Sequence, residues 1–228
     1  MSGISVSDKD KERGIIDDLQ SVISSHFHGR EHFAYKPTKQ SFKISFNVKY
    51  IYLTLVGGGG SGAIGHQDHQ MMTSGGGGGA GGCIMGLPIP VEHNMVVDIH
   101  VGKGGVAKDG ESTIVELIYK GGIRRITVEG GKHACGVEGG KGGASPFTKK
   151  LYGDDGEDGN IQLPSCAVIH GGNGGSTYFG RGGYGGYVGD NTRADGLDGY
   201  NGSGGGGGCV GEFVRAGSGG DGFVVIEW

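Results

Sequence analysis

Proline is scarce, with 5 residues in a chain of 228. That shortage argues against a collagen-type triple helix and against a stiff proline-rich linker. Long apolar runs are missing as well. The longest, Tyr50 to Val56, is far too short to cross a bilayer, so no membrane insertion is expected. The opening MSGISVSDKDKERG lacks the apolar stretch of a signal peptide, and ordinary secretory export is not expected either. Positive charge is not in excess: the net charge is −4, with acids and bases mixed along the chain. Without a basic stripe, a nucleic-acid partner is not expected. The four cysteines, Cys83, Cys135, Cys166 and Cys209, include no C-x-x-C pair, which argues against zinc. In a chain read as unexported they are expected as buried, reduced thiols, with disulfide pairing as the alternative.

Signatures of nucleotide and acyl chemistry are also lacking. Gly102-Lys-Gly-Gly and Gly140-Lys-Gly-Gly have no Ser or Thr after the lysine, which a P-loop needs to reach magnesium. No G-x-S-x-G elbow is present. The chain therefore reads as a non-enzymatic structural or binding protein.

Glycine is what the chain has instead: 56 residues, against a usual share of about 7 %. Each glycine costs roughly 0.5–1 kcal/mol of folding entropy relative to alanine. A folded chain of this composition must use them for close backbone packing. Their register supports that use. Glycine recurs at 196, 199, 202, 205, 208 and 211, and again at 217 and 220. A second series runs 171, 174, 180, 183, 186 and 189, and shorter ones start at Gly59, Gly136 and Gly153. Three residues per turn is the polyproline-II repeat, which has no internal hydrogen bonds. Glycine at every third position leaves one face as bare backbone, so neighbouring segments can bond through N–H···O=C groups.

Between the glycine tracts lie strand patterns. Phe42, Ile44, Phe46 and Val48 alternate with polar residues, and Tyr50 to Val56 follows as a more central strand. Met95 to Val101, Ser112 to Tyr119, Arg124 to Val128 and Gly222 to Trp228 complete the set. Lys120-Gly121-Gly122 reads as the turn of a hairpin. Residues 1–40 differ in being poor in glycine. Ser7 and Asp10 mark a helix cap, and Ile15, Ile16, Leu19, Val22, Ile23 and Phe27 form an amphipathic stripe ended by Gly29. The expected fold is mainly β with a polyglycine-II-like bundle, strands pairing at both ends of the glycine-rich body over 41–228, and a short N-terminal α-helix. That helical appendage, 1–40, packs on the body or drives self-association.

The ordered pieces resemble a known pattern. Ile51 to Gly60, the stretch Gly86-Leu-Pro-Ile-Pro with Met95 to Gly105, and the closing Gly219 to Trp228 are similar to the glycine-rich domain of viral structural proteins. That domain is found at phage tail-fibre tips and in glycine-rich proteins of giant viruses and virophages. The likeness implies an opening strand paired with a closing one. It also implies a place in the virion, reached from the host cytoplasm during assembly, with glycine-rich loops facing other virion proteins or a cell-surface receptor. An adhesin of the tail-fibre-tip type is the alternative function. An ice-binding polyglycine-II protein is a further one, disfavoured by the mixed charges.

Candidate site residues fall in three groups. Tyr178, Phe179, Arg181, Tyr184 and Tyr187 emerge between glycines, with Tyr200 further on, and Tyr and Arg are typical interface anchors. They serve either as a recognition surface or as seals between bundle and strands. His26 and His28 form an HxH pair beside Glu31 and His32. In a homo-trimer, the oligomer favoured here, three such pairs would place six nitrogens around an axis, suited to a transition metal; otherwise they are a solvated helix end. His66 and His69 read as an exposed loop tip. Gly153-Asp-Asp-Gly-Glu-Asp-Gly lacks the EF-hand order and reads as a solvated turn.

Overall fold

A computed structural model describes residues 29–44, 48–67, 71–146, 153–162, 169–188, 194–211 and 213–228. The expected N-terminal helix, together with His26, His28 and Phe46, lies outside the described residues. Two four-stranded antiparallel sheets carry the side-chain core. The first has the order β1 (Arg30–Ala34), β12 (Phe223–Glu227), β3 (Tyr50–Val56) and β5 (Cys83–Pro90). The second runs β2 (Gln40–Lys43), β6 (Val96–His100), β7 (Thr113–Tyr119) and β8 (Gly122–Val128). Two short pairs stand apart, β4 (Met72–Thr73) with β9 (Ile161–Gln162) and β10 (Ile169–His170) with β11 (Tyr187–Val188).

Alternation along the strands builds the core. In β6, Val97 and Ile99 are buried while Val96, Asp98 and His100 are only half covered. Inward residues of both sheets join one cluster: Leu53, Leu55, Val224 and Ile226 from the first, Val97, Ile99, Val115 and Leu117 from the second. The opening and closing strands pair as expected, Val56 opposite Phe223 and Leu53 opposite Ile226. The β7–β8 hairpin turns where Tyr119 faces Gly122. Trp228 is half-buried, its ring 5.5 Å from that of Phe42.

Strand β5 and the short pairs were not among the strands read from alternation, and neither was β1. β1, Arg-Glu-His-Phe-Ala, buries only Phe33, yet pairs with β12 over its whole length. Gly29 and Trp228 exchange N–H···O=C bonds of 3.0 Å and extend this pairing by one residue.

Among the described residues the long glycine runs form neither α-helix nor β-ladder; they bond to one another. From Gly57 the N–H groups turn to three neighbours in rotation. Gly57, Gly60 and Ala63 donate to Gly82, Gly79 and Gly76. Gly58 and Ser61 donate to Glu111 and Lys108, and Gly59 and Gly62 to Gly220 and Gly217. Each neighbour is therefore met at every third residue, running antiparallel. Buried backbone groups are satisfied by these lateral bonds instead of by sheet.

Position in this assembly explains two glycine patterns. Gly204, Gly205 and Gly206 aim the place of a missing Cβ at carbonyls of three different segments, those of Gly78, Gly217 and Tyr184, and Gly207 returns to the first at Gly75. A segment surrounded on every side needs glycine at every position. At the perimeter only the inward residue is so confined. Gly153, Gly156 and Gly159 abut the carbonyls of Ala80, Gly77 and Ser74, while Asp154, Asp155, Glu157 and Asp158 between them are exposed. Runs of glycine thus mark the interior, and period three marks the edge.

Candidate functional site

Two adjoining turns present aromatic side chains at one end of the glycine segments. The first, Thr177–Gly180, is closed by the Thr177 N–H donating to the Gly180 carbonyl at 2.9 Å. Its corner carries Tyr178, 75 % exposed, and Phe179. The second carries Tyr200, 72 % exposed, before Asn201 and Gly202. Asn201 and Gly202 both lie at positive φ, 49° and 78°, the conformation that Asn-Gly adopts at low cost.

Side chains lock the two turns together. The Thr177 hydroxyl donates to the Asn201 carbonyl at 3.0 Å, and the Asn201 amide returns a bond to the Phe179 carbonyl at 2.9 Å. Phe179 anchors the first turn to the sheet. Its ring meets Phe223 edge-on, with centroids 5.2 Å apart, and Tyr178 stands at 75° to it. His32 stacks on the same Phe223 ring at 5.5 Å. A shallow cleft of about 350 Å³ opens here, lined by His32, Thr54, Met85, Phe179 and Asn201 among others.

The five residues singled out in the sequence therefore do different things. Arg181 lies over the Tyr184 ring, 4.5 Å from its centroid, an exposed cation–π pair of about 0.5–1 kcal/mol. Tyr178 is fully presented, and Phe179 is half-buried as its anchor. Tyr187 sits elsewhere, in β11, with its ring 4.6 Å from His170 of β10. Thr177 and Asn201 were missed by sequence reasoning, although the Asn201-Gly202 pair is itself a turn signal. His66 is exposed, and His69 lies outside the described residues.

Two sequence expectations need correction. Cys135 is exposed, whereas Cys83 and Cys209 are buried and all three are free; Cys166 lies outside the described residues. Burial raises the thiol pKa of both Cys83 and Cys209, which keeps them protonated and inert. The acidic stretch after Gly153 is exposed, as expected, but it is an edge segment bonded to its neighbour instead of a turn. Asp155 accepts the Gly142 N–H and Asp158 the Gly139 N–H, at 2.7 and 2.8 Å. The Gly142 N–H, with Lys141 beside it, holds the Asp155 carboxyl below its ordinary pKa.

The family profile described as a glycine-rich domain matches residues 36–228. No curated protein matches the chain.

Proposed function

The chain belongs to the glycine-rich domain family, and on that premise we propose that it is a non-enzymatic interaction protein of a virion. Its glycine segments form a polyglycine-II bundle that holds aromatic loops towards a partner. The observation that carries this reading is the pair of locked turns with Tyr178 and Tyr200 exposed at 75 % and 72 %. Exposed aromatic rings leave apolar area in water, an arrangement favoured where a partner covers them. A rigid scaffold lowers the ordering cost of that contact. The lateral bonding at every third residue supports the polyglycine-II description, because that helix has three residues per turn.

In this reading the chain assembles with copies of itself, as a trimer, and with other virion proteins, and His26 and His28 supply the metal axis. Light scattering with metal content on the same sample tests it. A trimer whose mass falls when Tyr178 and Tyr200 are both replaced by alanine supports assembly through the aromatic turns. A metal-free monomer, unchanged by the double substitution, overturns both the trimer and the axis.

Presentation at the surface also favours a second reading, a receptor-binding adhesin. Exposed Tyr178, Arg181 and Tyr184 suit recognition better than a sealed scaffold. Binding of purified protein to host cells, lost in Tyr178→Ala without loss of mass, would distinguish it from assembly.

A further inference from the structure

A second recess opens between the segments around Ile64, Val106, His133, Leu197 and Arg215. Its volume is about 520 Å³, within the range of about 300–1,000 Å³ of small-molecule sites. Ile64 and Val106 line it while 51 % and 63 % exposed, and Leu197 and Ala216 add apolar surface. Gly62 and Gly196 contribute wall with no side chain, so flat peptide groups face the cavity. Beside Val106, Ala107 holds a φ of 52°, a left-handed conformation that costs a non-glycine residue about 1 kcal/mol or more. Strain of this kind is concentrated at binding sites.

Among the polar groups of this recess, His133 has a defined orientation. Nδ1 of His133 lies 3.1 Å from the Ser61 carbonyl oxygen and 2.8 Å from Ser61 Oγ. Ser61 Oγ in turn accepts the Lys108 N–H at 3.0 Å and lies 3.2 Å from the Lys108 carbonyl. One assignment satisfies every group: Nδ1–H donates to Ser61, and the hydroxyl donates to the Lys108 carbonyl. In that tautomer the lone pair lies on Nε2, which takes no partner among the described residues. Arg215 and Asp198 line the recess with opposite charges, and Asp198 already accepts the Ser218 N–H at 2.7 Å. A balanced pair of charges favours neither an anion nor a cation.

We propose that this recess binds a neutral phenolic group, its ring between Ile64, Val106 and Leu197 and its hydroxyl donating to His133 Nε2. Apolar side chains and flat peptide walls accept a planar ring, and a phenol supplies the strong donor that the oriented imidazole lacks. The site includes none of Tyr178, Phe179, Tyr200 and Asn201, so it stands or falls separately from the proposed function.

The test uses the intact protein and p-cresol, with 4-methylanisole, which lacks the donor, and p-toluate, which is charged, as comparisons. Saturable binding of p-cresol is expected, shifting the ring-nitrogen NMR resonances of His133. The anisole should bind about fivefold more weakly, the factor one hydrogen bond contributes. His133→Asn keeps a donor for Ser61 but removes Nε2, and should bring p-cresol down to the level of the anisole. Val106→Asp changes an exposed side chain, leaves the fold intact and should weaken p-cresol about tenfold by placing a charge against the ring. Light scattering separates the two sources of a phenol. Oligomers dispersed by p-cresol identify a tyrosine of a neighbouring copy, and an unchanged mass identifies a free small molecule. Absence of saturable binding, tighter binding of p-toluate, or wild-type affinity in both variants would overturn the proposal.

Discussion

Asp155 accepts the backbone N–H of Gly142 at 2.7 Å, taking the place that a carbonyl of another glycine segment would fill. The relationship recurs wherever aspartate precedes glycine. Asp109, Asp158, Asp195, Asp198 and Asp221 accept the N–H groups of His133, Gly139, Arg215, Ser218 and Gly104. In each case the following glycine faces inward against a carbonyl, Gly110 against Gly58 and Gly196 against Gly206 for example. Asp-Gly is thus the edge unit of this assembly: a short carboxylate closes the outer hydrogen bond while the glycine packs inside.

Asp155→Ala should lower stability by about 1 kcal/mol, because the Gly142 N–H is left to partly exposed solvent. Asp155→Asn keeps an acceptor oxygen and should lose less. Urea unfolding of the two variants checks the order, and equal losses would count against an acceptor role for the carboxylate oxygen.

Acid should destabilise the protein through its hydrogen-bonded aspartates. The Asp98 carboxyl is held low by Lys39 and Ser41, and Asp155 by the Gly142 N–H and Lys141. At Asp109 burial pushes upward, but the His133 N–H and Lys132 outweigh it. A folded pKa below the unfolded 3.8 gives stability that is present above pH 3.8 and lost as pH falls through the folded values. Melting temperature should therefore be flat near neutrality and drop below about pH 4. At the alkaline end the Lys39 pKa is raised, chiefly by Asp98, so its contribution is present below pH 10.5 and fades as pH rises beyond.

Glycine substitutions should separate by position. Gly78→Ala drives a methyl into the Gly60 carbonyl in the interior and should cost about 3 kcal/mol or more. Gly121→Ala meets nothing within 4 Å and should be neutral or stabilising by up to about 1 kcal/mol. Thermal melts of the two variants provide the check; similar losses would remove the distinction between packed and free glycines.

Thiol labelling followed by peptide mapping should modify Cys135 in the native protein and leave Cys83 and Cys209 until denaturant is added. Native labelling of Cys209 at the rate of Cys135 would contradict its burial.

The sequence by itself determined the strands with strong alternation. Val97 and Ile99, or Val115 and Leu117, bury one face of a sheet at a spacing of two, and no other structure uses that spacing. It also determined that the glycines pack, since period three leaves a bare face. The partnerships were decided by tertiary structure. β1 is too polar to read as a strand and exists because β12 offers it an edge. The glycine segments carry no side chains to encode their neighbours, so only the assembled bundle decides that Gly60 meets Gly79 and Gly59 meets Gly220. The aromatic surface followed the same division. Tyr178, Arg181 and Tyr184 stood out as residues between glycines, but the bond from Asn201 to Phe179 that holds two distant turns together exists only in the fold.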